Sequence, residues 1–335
     1  FIKKHILFLC LGATAFFIGC RVPHHTYKTY GLAGFIGAGL LLGGTLIPGM
    51  GVSIGGASRW LDLGLVNIQP VEVMKFWIIV FIAIYIDTKK ENVAQFQKGL
   101  LPVLVGIGLP IGILLCQPDL GNTGLILMVT FILLCLSNIP FKQLAMLSGG
   151  AVMTVLISIL TYDYQQQRVK TFFSPWEDPL GKGYHIIQSF IAIGSGGILG
   201  LGLGQSKLKY YYLPLHYSDF IFAIICEEGG LLLALLICGL FLAMTLTGFR
   251  IAIAQTDLFS KILAMGLTLL IVLQGLLNIG VVIGLFPVTG IPLTFISFGG
   301  TSLIMSMFCV GVIININQST NQSTPQVTGK QDLTA

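Results

Sequence analysis

Nine stretches of this chain, each at least 16 residues long, carry few charges or none: 5–20, 31–49, 71–87, 100–117, 120–137, 142–161, 219–248, 261–285 and 297–315. A helix needs about 20 apolar residues to cross roughly 30 Å of hydrocarbon. Only helices and closed barrels can do so without leaving backbone groups unpaired. The alternating pattern of a barrel strand is absent, so the chain reads as an all-α, polytopic helical membrane protein of nine spans. Composition agrees: 55% of residues are hydrophobic, 9% are charged and the mean hydropathy is +0.90. A soluble domain cannot hide that much apolar surface.

Lys and Arg in short connections set the orientation. Arg21 and Lys28, then Lys89, Lys90 and Lys98, then Lys142, then Arg250 and Lys261 fall in alternate connections, which are therefore cytoplasmic. Residue 1, the connection 50–70 and the long stretch 162–218 between the sixth and seventh spans are then extracytoplasmic, with Lys3 and Lys4 against the trend. The opening "FIKKHILFLCLGATAFFIGC" has the basic start and apolar centre of a signal peptide. The basic "RVPHHTYK" follows where a cleavage site would stand, so it reads as a plain span. An odd number of spans with the start outside predicts a further helix ahead of Phe1. Residues 1–316 read as a single transmembrane domain, and the polar 317–335, with its repeated NQST, as a disordered cytoplasmic tail.

The net charge of +5 needs no nucleic acid, because basic residues beside spans answer to anionic membrane lipids. Seven cysteines all fall in apolar segments without a C-x-x-C pair. They read as small buried hydrophobes, not as a disulfide framework or a metal site.

Embedded ionisable groups are costly, and are functional or paired. "LHYSDFIFAIICEEGG" (215–230) holds three of the chain's 13 acidic residues. Asp219 stands where the outer loop meets a span, within reach of water and lipid head groups. It reads equally as a general base or as a helix-start acid favoured by the N-terminal dipole, with Ser218 as cap. Glu227 lies about 12 Å further along a continuous helix, too far to form a carboxylate pair with Asp219, and reads as a pairing or bending element with Gly229 and Gly230. Glu72 and Lys75, three apart on one helix face, can neutralise each other. Asp119, in "QPDLGNTG", can cap the helix that follows. "PVTGIPLTFISFGGTS", which contains Ser297, breaks the chain at membrane depth, where irregular backbone is tolerated only inside protein or beside a cavity.

The outer stretches collect cations against the positive-inside trend: Arg59 in the first, and Arg168, Lys170, Lys182, Lys207 and Lys209 in the second. An anionic ligand or ordinary solvation explains them. "GSGGILGLGLG" puts Gly196, Gly200 and Gly204 at spacing four. A phosphate cradle is one reading; close packing of helices is favoured, because no strand precedes the stretch and no Gly-Lys-Ser/Thr follows it.

Taken in order, "RWLDLGLVNIQPVE", "QPDLG", "DPLGKGYHIIQSFIAIGSGG", "SDFIFAIICEEGG" and "PVTGIPLTFISFGG" resemble the signatures of the SEDS family of cell-wall glycosyltransferases over about residues 5–315. "YQQQRV" and "GYHIIQS" are more similar to its elongation branch than to its division branch. The resemblance implies ten spans, the first missing from this chain. It also implies a peptidoglycan polymerase of the bacterial cytoplasmic membrane that consumes lipid II, a disaccharide-pentapeptide on undecaprenyl pyrophosphate. Implied partners are a class B penicillin-binding protein and other membrane proteins of the elongation complex.

The family's essential loop aspartate maps onto Asp219. Leu215, Ser218, Val71, Thr294 and Phe298 depart from the family pattern, and none of them removes it. The expected reaction is an inverting transfer with Asp219 as base. Arg59, Arg168, Lys170 and Lys182 would hold the pyrophosphate, with Mg²⁺ or Mn²⁺ as a possible cofactor and Glu72, Lys75, Asp119, Glu227 and Ser297 in support. The alternatives are a flippase for the same lipid-linked precursor and a non-catalytic scaffold for a transpeptidase.

Overall fold

The computed structural model describes residues 2–54, 57–62, 64, 67–89, 95–137, 139–206 and 219–323. All nine apolar stretches are helical. In chain order the helices are α1 (Ile2–Arg21), α2 (His24–Thr29), α3 (Gly31–Gly44), α4 (Pro70–Lys89), α5 (Leu101–Cys116, entered through a π turn), α6 (Leu120–Cys135), α7 (Phe141–Thr161), α8 (Asp163–Phe173) and α9 (Tyr184–Gly196). They are followed by α10 (Ile221–Ile253), α11 (Leu258–Val282) and α12 (Gly300–Ser323). Among the described residues, six are long and apolar enough to cross a membrane: α1, α5 with its π turn, α7, α10, α11 and α12. α3 and α6 are apolar but shorter. α4 has the length but carries Glu72, Lys75, Asp87 and Lys89.

α11 is buried along most of its length and packs on α4, α6, α10 and α12, as a helix that is apolar all round must. α1 lies along α12, where Gly19 and Gly311 let the two backbones meet: a Cβ on Gly19 would fall 2.6 Å from the Phe308 carbonyl. At one end of the bundle Lys28 pairs with Asp87 at 2.6 Å, and the His24 amide donates to Asn315 Oδ1 at 3.0 Å. Asp119 and Asp219 lie at the other end.

Three expectations change. The connection 50–70 is not simply a loop: it folds into a three-stranded antiparallel sheet of β1 (Gly51–Ile54), β2 (Ala57–Asp62) and β3 (Asn67–Ile68). Gly51 stands opposite Leu61, and Leu61 opposite Ile68. β-Branched and aromatic residues divided by glycines favour such a pleated patch. The stretch 162–218 contains α8, a 3₁₀ turn and α9. The polar tail starts later than expected, because α12 continues through Ser323. The rest of the tail, like Lys207, Lys209, Leu215 and Ser218, lies outside the described residues.

α10 is broken at Gly230, where φ 65° and ψ −165° leave helical space. The glycine-rich stretch after α9 fits into this break through a run of turns and bends. Leu201 and Gly202 N–H groups donate to the Glu227 and Glu228 carbonyls at 2.9 and 3.0 Å, and the Leu231 N–H donates to the Gly197 carbonyl at 2.9 Å. A Cβ on Gly196 would sit 2.0 Å from the Cys226 carbonyl, and one on Gly200 2.2 Å from that of Glu228. Gly196 and Gly200 therefore serve close packing, whereas Gly204 has open space around it, and the bend expected at Gly229 and Gly230 is present.

Candidate active site

Asp219 occupies the turn immediately before α10, half-buried. Asn278, on α11, holds it from behind: Nδ2 donates to the Asp219 carbonyl and to the Ile291 carbonyl, both at 2.8 Å. This ties the start of α10 to the irregular segment between α11 and α12. That segment is itself pinned. Ser297 Oγ accepts from the Leu293 N–H at 2.8 Å, and Thr294 Oγ1 donates to the Ile271 carbonyl at 3.0 Å. A Cβ built on Gly290 (φ 75°) would stand 3.8 Å from Asp219 Oδ2, so the carboxylate faces this backbone break. A small core of Phe220, Phe222, Ala223, Cys226, Val282 and Leu293 lies beneath the turn.

Next to Asp219 the Phe220 ring stacks on His185 of α9, with centroids 5.7 Å apart and planes 16° from parallel. His185 borders a cavity of about 280 Å³ together with Tyr164, Arg168, Lys182 and Val288. Two of the four predicted pyrophosphate-binding residues, Arg168 and Lys182, thus meet beside the turn that carries Asp219. Lys170 does not line this cavity and is exposed on α8. Arg168 lies over the Tyr164 ring, 4.4 Å from its centroid, and donates to the Tyr164 hydroxyl. Burial lowers the Arg168 guanidinium from its ordinary value, with Arg59 adding to the effect and Tyr164 and Asp119 opposing it. A guanidinium starts so high that it stays charged.

Arg59, on β2, reaches the connection between α5 and α6. Its Nη2 donates to the Pro118 carbonyl at 2.6 Å, its Nε to that of Gln117 at 3.4 Å, and Nε lies 3.7 Å from Asp119 Oδ2. Gln165 of α8 donates to the same Pro118 carbonyl at 2.8 Å. Asp119 caps α6 as expected, accepting from Asn122 N–H at 3.3 Å and from Asn122 Nδ2 at 2.8 Å. One connection therefore ties the sheet, α6 and α8 together around Arg168.

The remaining supporting residues lie deeper. Lys75 Nζ donates to Glu72 Oε1 at 2.8 Å and to Gln274 Oε1 at 2.7 Å, and Gln274 Nε2 donates to Ser302 Oγ at 2.8 Å. Lys75 and Glu72 are 2% and 4% exposed, so this network locks α4, α11 and α12 together and does not present charge to a ligand. Glu227 accepts from the Ser206 hydroxyl. Among the described residues no three His, Cys, Asp or Glu side chains come together to hold a metal ion. The described residues thus offer no preformed cluster of these side chains for Mg²⁺ or Mn²⁺. Asn278 and His185 were not singled out from the sequence. The available signal is a lone amide in the apolar run "GLLNIGVV" and the histidine of "GYHIIQS".

The family model described as "Cell cycle protein", covering FtsW, RodA and SpoVE, matches residues 1–322. The chain is 39% identical over 324 residues to stage V sporulation protein E of Bacillus subtilis (strain 168), a match covering 95% of this chain and 87% of that one. It is 38% identical to a probable peptidoglycan glycosyltransferase FtsW of Coxiella burnetii, covering 95% of this chain and 86% of that protein. A chain from a structure titled "Structural coordination of polymerization and crosslinking by a peptidoglycan synthase complex" superposes with a TM-score of 0.79 at 25% identity, covering 96% of this chain and 90% of that one. On this agreement of sequence over nearly its full length and of fold, the chain belongs to the FtsW/RodA/SpoVE family, the SEDS proteins.

Proposed function

We propose that this protein is a peptidoglycan glycosyltransferase of the bacterial cytoplasmic membrane that polymerises lipid II at the outer leaflet, with Asp219 as the general base. The observation that carries the reading is the placement of the Asp219 turn: beside a backbone break at one end of the bundle, next to a cavity bordered by Arg168 and Lys182. The glycosyltransferase names of the family relatives support the reaction class.

In the proposed step the acceptor GlcNAc 4-hydroxyl gives its proton to the Asp219 carboxylate as its oxygen forms a bond to the donor's anomeric carbon. The bond from that carbon to the diphosphate breaks, and its electron pair leaves on a phosphate oxygen. A diphosphate needs cations and no protonating acid, and preorganised positive charge stabilises it as it departs. Arg168 and Lys182 border the cavity. Arg59 acts from behind, fixing the connection beside Arg168. Attack from the face opposite the diphosphate inverts the α-linked donor to a β-linked product. An apolar cavity of about 390 Å³, bordered by Ile193, Phe222, Cys226 and Leu235, offers a path for the lipid chain close to the Asp219 turn. A transpeptidase partner fits the same reading, given the crosslinking named for the structural neighbour. The assignment to elongation rests on "YQQQRV" and "GYHIIQS".

Radiolabelled lipid II polymerisation by the purified chain with a class B penicillin-binding protein, in Mg²⁺, Mn²⁺ or EDTA, tests the proposal. Asp219→Asn should abolish glycan synthesis. Glycan made at the normal rate by this variant would rule out the base assignment, and flipping of lipid II in vesicles without polymerisation would point to transport.

A further inference from the structure

His185 has a feature that the proposed chemistry leaves unused. Its Nδ1 is buried and, among the described residues, has no hydrogen-bond partner. A buried imidazole nitrogen without a partner costs free energy, so its retention in a cavity that also holds Arg168 and Lys182 points to a partner that arrives with a ligand. Among the described residues, the groups facing this cavity from α8 are Tyr164, Gln167, Arg168 and Thr171, and Lys182 faces it from the turn before α9. Tyr184 neighbours His185 on its own helix at a ring distance of 6.0 Å. Phe220 covers its other face from the start of α10, and Val288 contributes only an apolar side chain from the segment after α11. No carboxylate among the described residues lines the cavity. The polar ligand that such a lining favours is an anion, and a cavity of about 280 Å³ has room for two linked phosphates.

We propose that His185 is a diphosphate-binding residue: Nδ1–H donates to a phosphate oxygen held by Arg168 and Lys182, and binding of the anion draws a proton onto the imidazole. The inference rests on the glycosyl-transfer reading for the identity of the ligand, but not for its test. Burial holds the empty imidazole below its ordinary value of 6.5, so near neutral pH it is uncharged. A phosphate oxygen at hydrogen-bond distance favours the charged form and shifts the group the other way. Anion binding is then linked to uptake of a proton at His185 and weakens as pH rises. The stack on Phe220 places this event next to Asp219, so the same ring that senses the diphosphate packs against the residue following the base.

The test is calorimetric titration of the purified full chain with inorganic pyrophosphate in EDTA, between pH 5.5 and 8. Buffers of different ionisation enthalpy give the protons taken up per anion bound. Wild type should take up more protons than His185→Gln, which keeps an N–H donor but cannot titrate. His185→Gln should bind about tenfold more weakly at the acid end of this range, consistent with a charge-assisted hydrogen bond, and should lose the extra pH dependence. Thermal melts confirm that both proteins are folded.

In the polymerisation assay the same substitution should raise KM for lipid II more at pH 6 than at pH 8. Equal proton uptake by the two proteins overturns the proposal, as does a wild type that polymerises lipid II yet does not bind pyrophosphate. Unimpaired polymerisation by Asp219→Asn would instead sink the base assignment and leave the proton-linked site standing.

Discussion

Asn278 Nδ2 donates to the Asp219 carbonyl at 2.8 Å across 59 positions of sequence. One side-chain amide on the most buried helix thus fixes where the proposed base begins its turn, and it holds Ile291 at the same time. Asn278→Leu removes the shared donor and leaves two carbonyls without it, at about 1–3 kcal/mol for a buried unsatisfied group. Lipid II polymerisation should fall by at least about tenfold, since a reactive group displaced by 1 Å loses on the order of a hundredfold. A rate-against-melting comparison checks this: a variant that retains full activity would show that Asp219 is positioned by other contacts.

The Glu72–Lys75 pair gives a second prediction. Lys75→Met leaves a buried carboxylate without its cation, which costs about 3–5 kcal/mol, whereas replacing both partners together is nearly neutral. The single substitution should lower the melting temperature in detergent sharply, and Glu72→Gln with Lys75→Met should recover most of the loss. No recovery in the double variant would mean that Gln274 and Ser302 depend on the charges themselves.

Gly230 is irreplaceable on two grounds, its positive φ and a Cβ that would stand 2.4 Å from both the Gly200 nitrogen and the Ile198 carbonyl. Left-handed backbone costs a non-glycine residue on the order of 1–3 kcal/mol before any clash is counted. Gly230→Ala should therefore reduce both folded yield and activity. Gly239→Ala, on the same helix with open space around it, should be tolerated. Comparing expression and melting of the two variants checks this.

Asp257 caps α11 at the opposite end of the bundle, accepting from Ser260 N–H at 3.0 Å and from Ser260 Oγ at 2.8 Å. Burial pushes its carboxyl up. The two Ser260 bonds, with Lys28 and His25, pull it down further, and the net shift is below the ordinary 3.8. A lowered carboxyl stabilises the fold above its unfolded value, and the contribution is lost as pH falls through the folded value. Asp257→Ala should cost about 1 kcal/mol at neutral pH, as lost caps do, and the gap between the two melting curves should close below about pH 4.

The helices of the bundle were legible because long apolar runs leave few alternatives. So were the contacts that depend on near neighbours. Asp119 caps the helix beginning at the next residue, Lys75 meets Glu72 three residues earlier, and Gly230 breaks its own helix. Contacts set by chain-distant packing could not be read in this way. Asn278 in an apolar run gives no hint of which carbonyls it will meet, and His185 shows nothing until Phe220 and Arg168 are brought beside it. The strands at 51–68 were missed because each is too short and glycine-rich to stand out among hydrophobic runs, and only their mutual pairing defines them.

The break at Gly230 has a mechanical consequence. An unbroken α10 of 33 residues would be a rod about 50 Å long, and any push on its far end would swing the Asp219 turn. Divided as it is, the helix is two shorter levers that meet at the Gly230 break. Both are fastened by backbone bonds to the stretch after α9, the near one through the Glu227 and Glu228 carbonyls and the far one through the Leu231 and Leu232 N–H groups. The far one carries the exposed leucines 231, 232, 235, 236, 240, 242 and 246. A push on that leucine face is therefore shared with the stretch after α9 before it reaches the Asp219 turn.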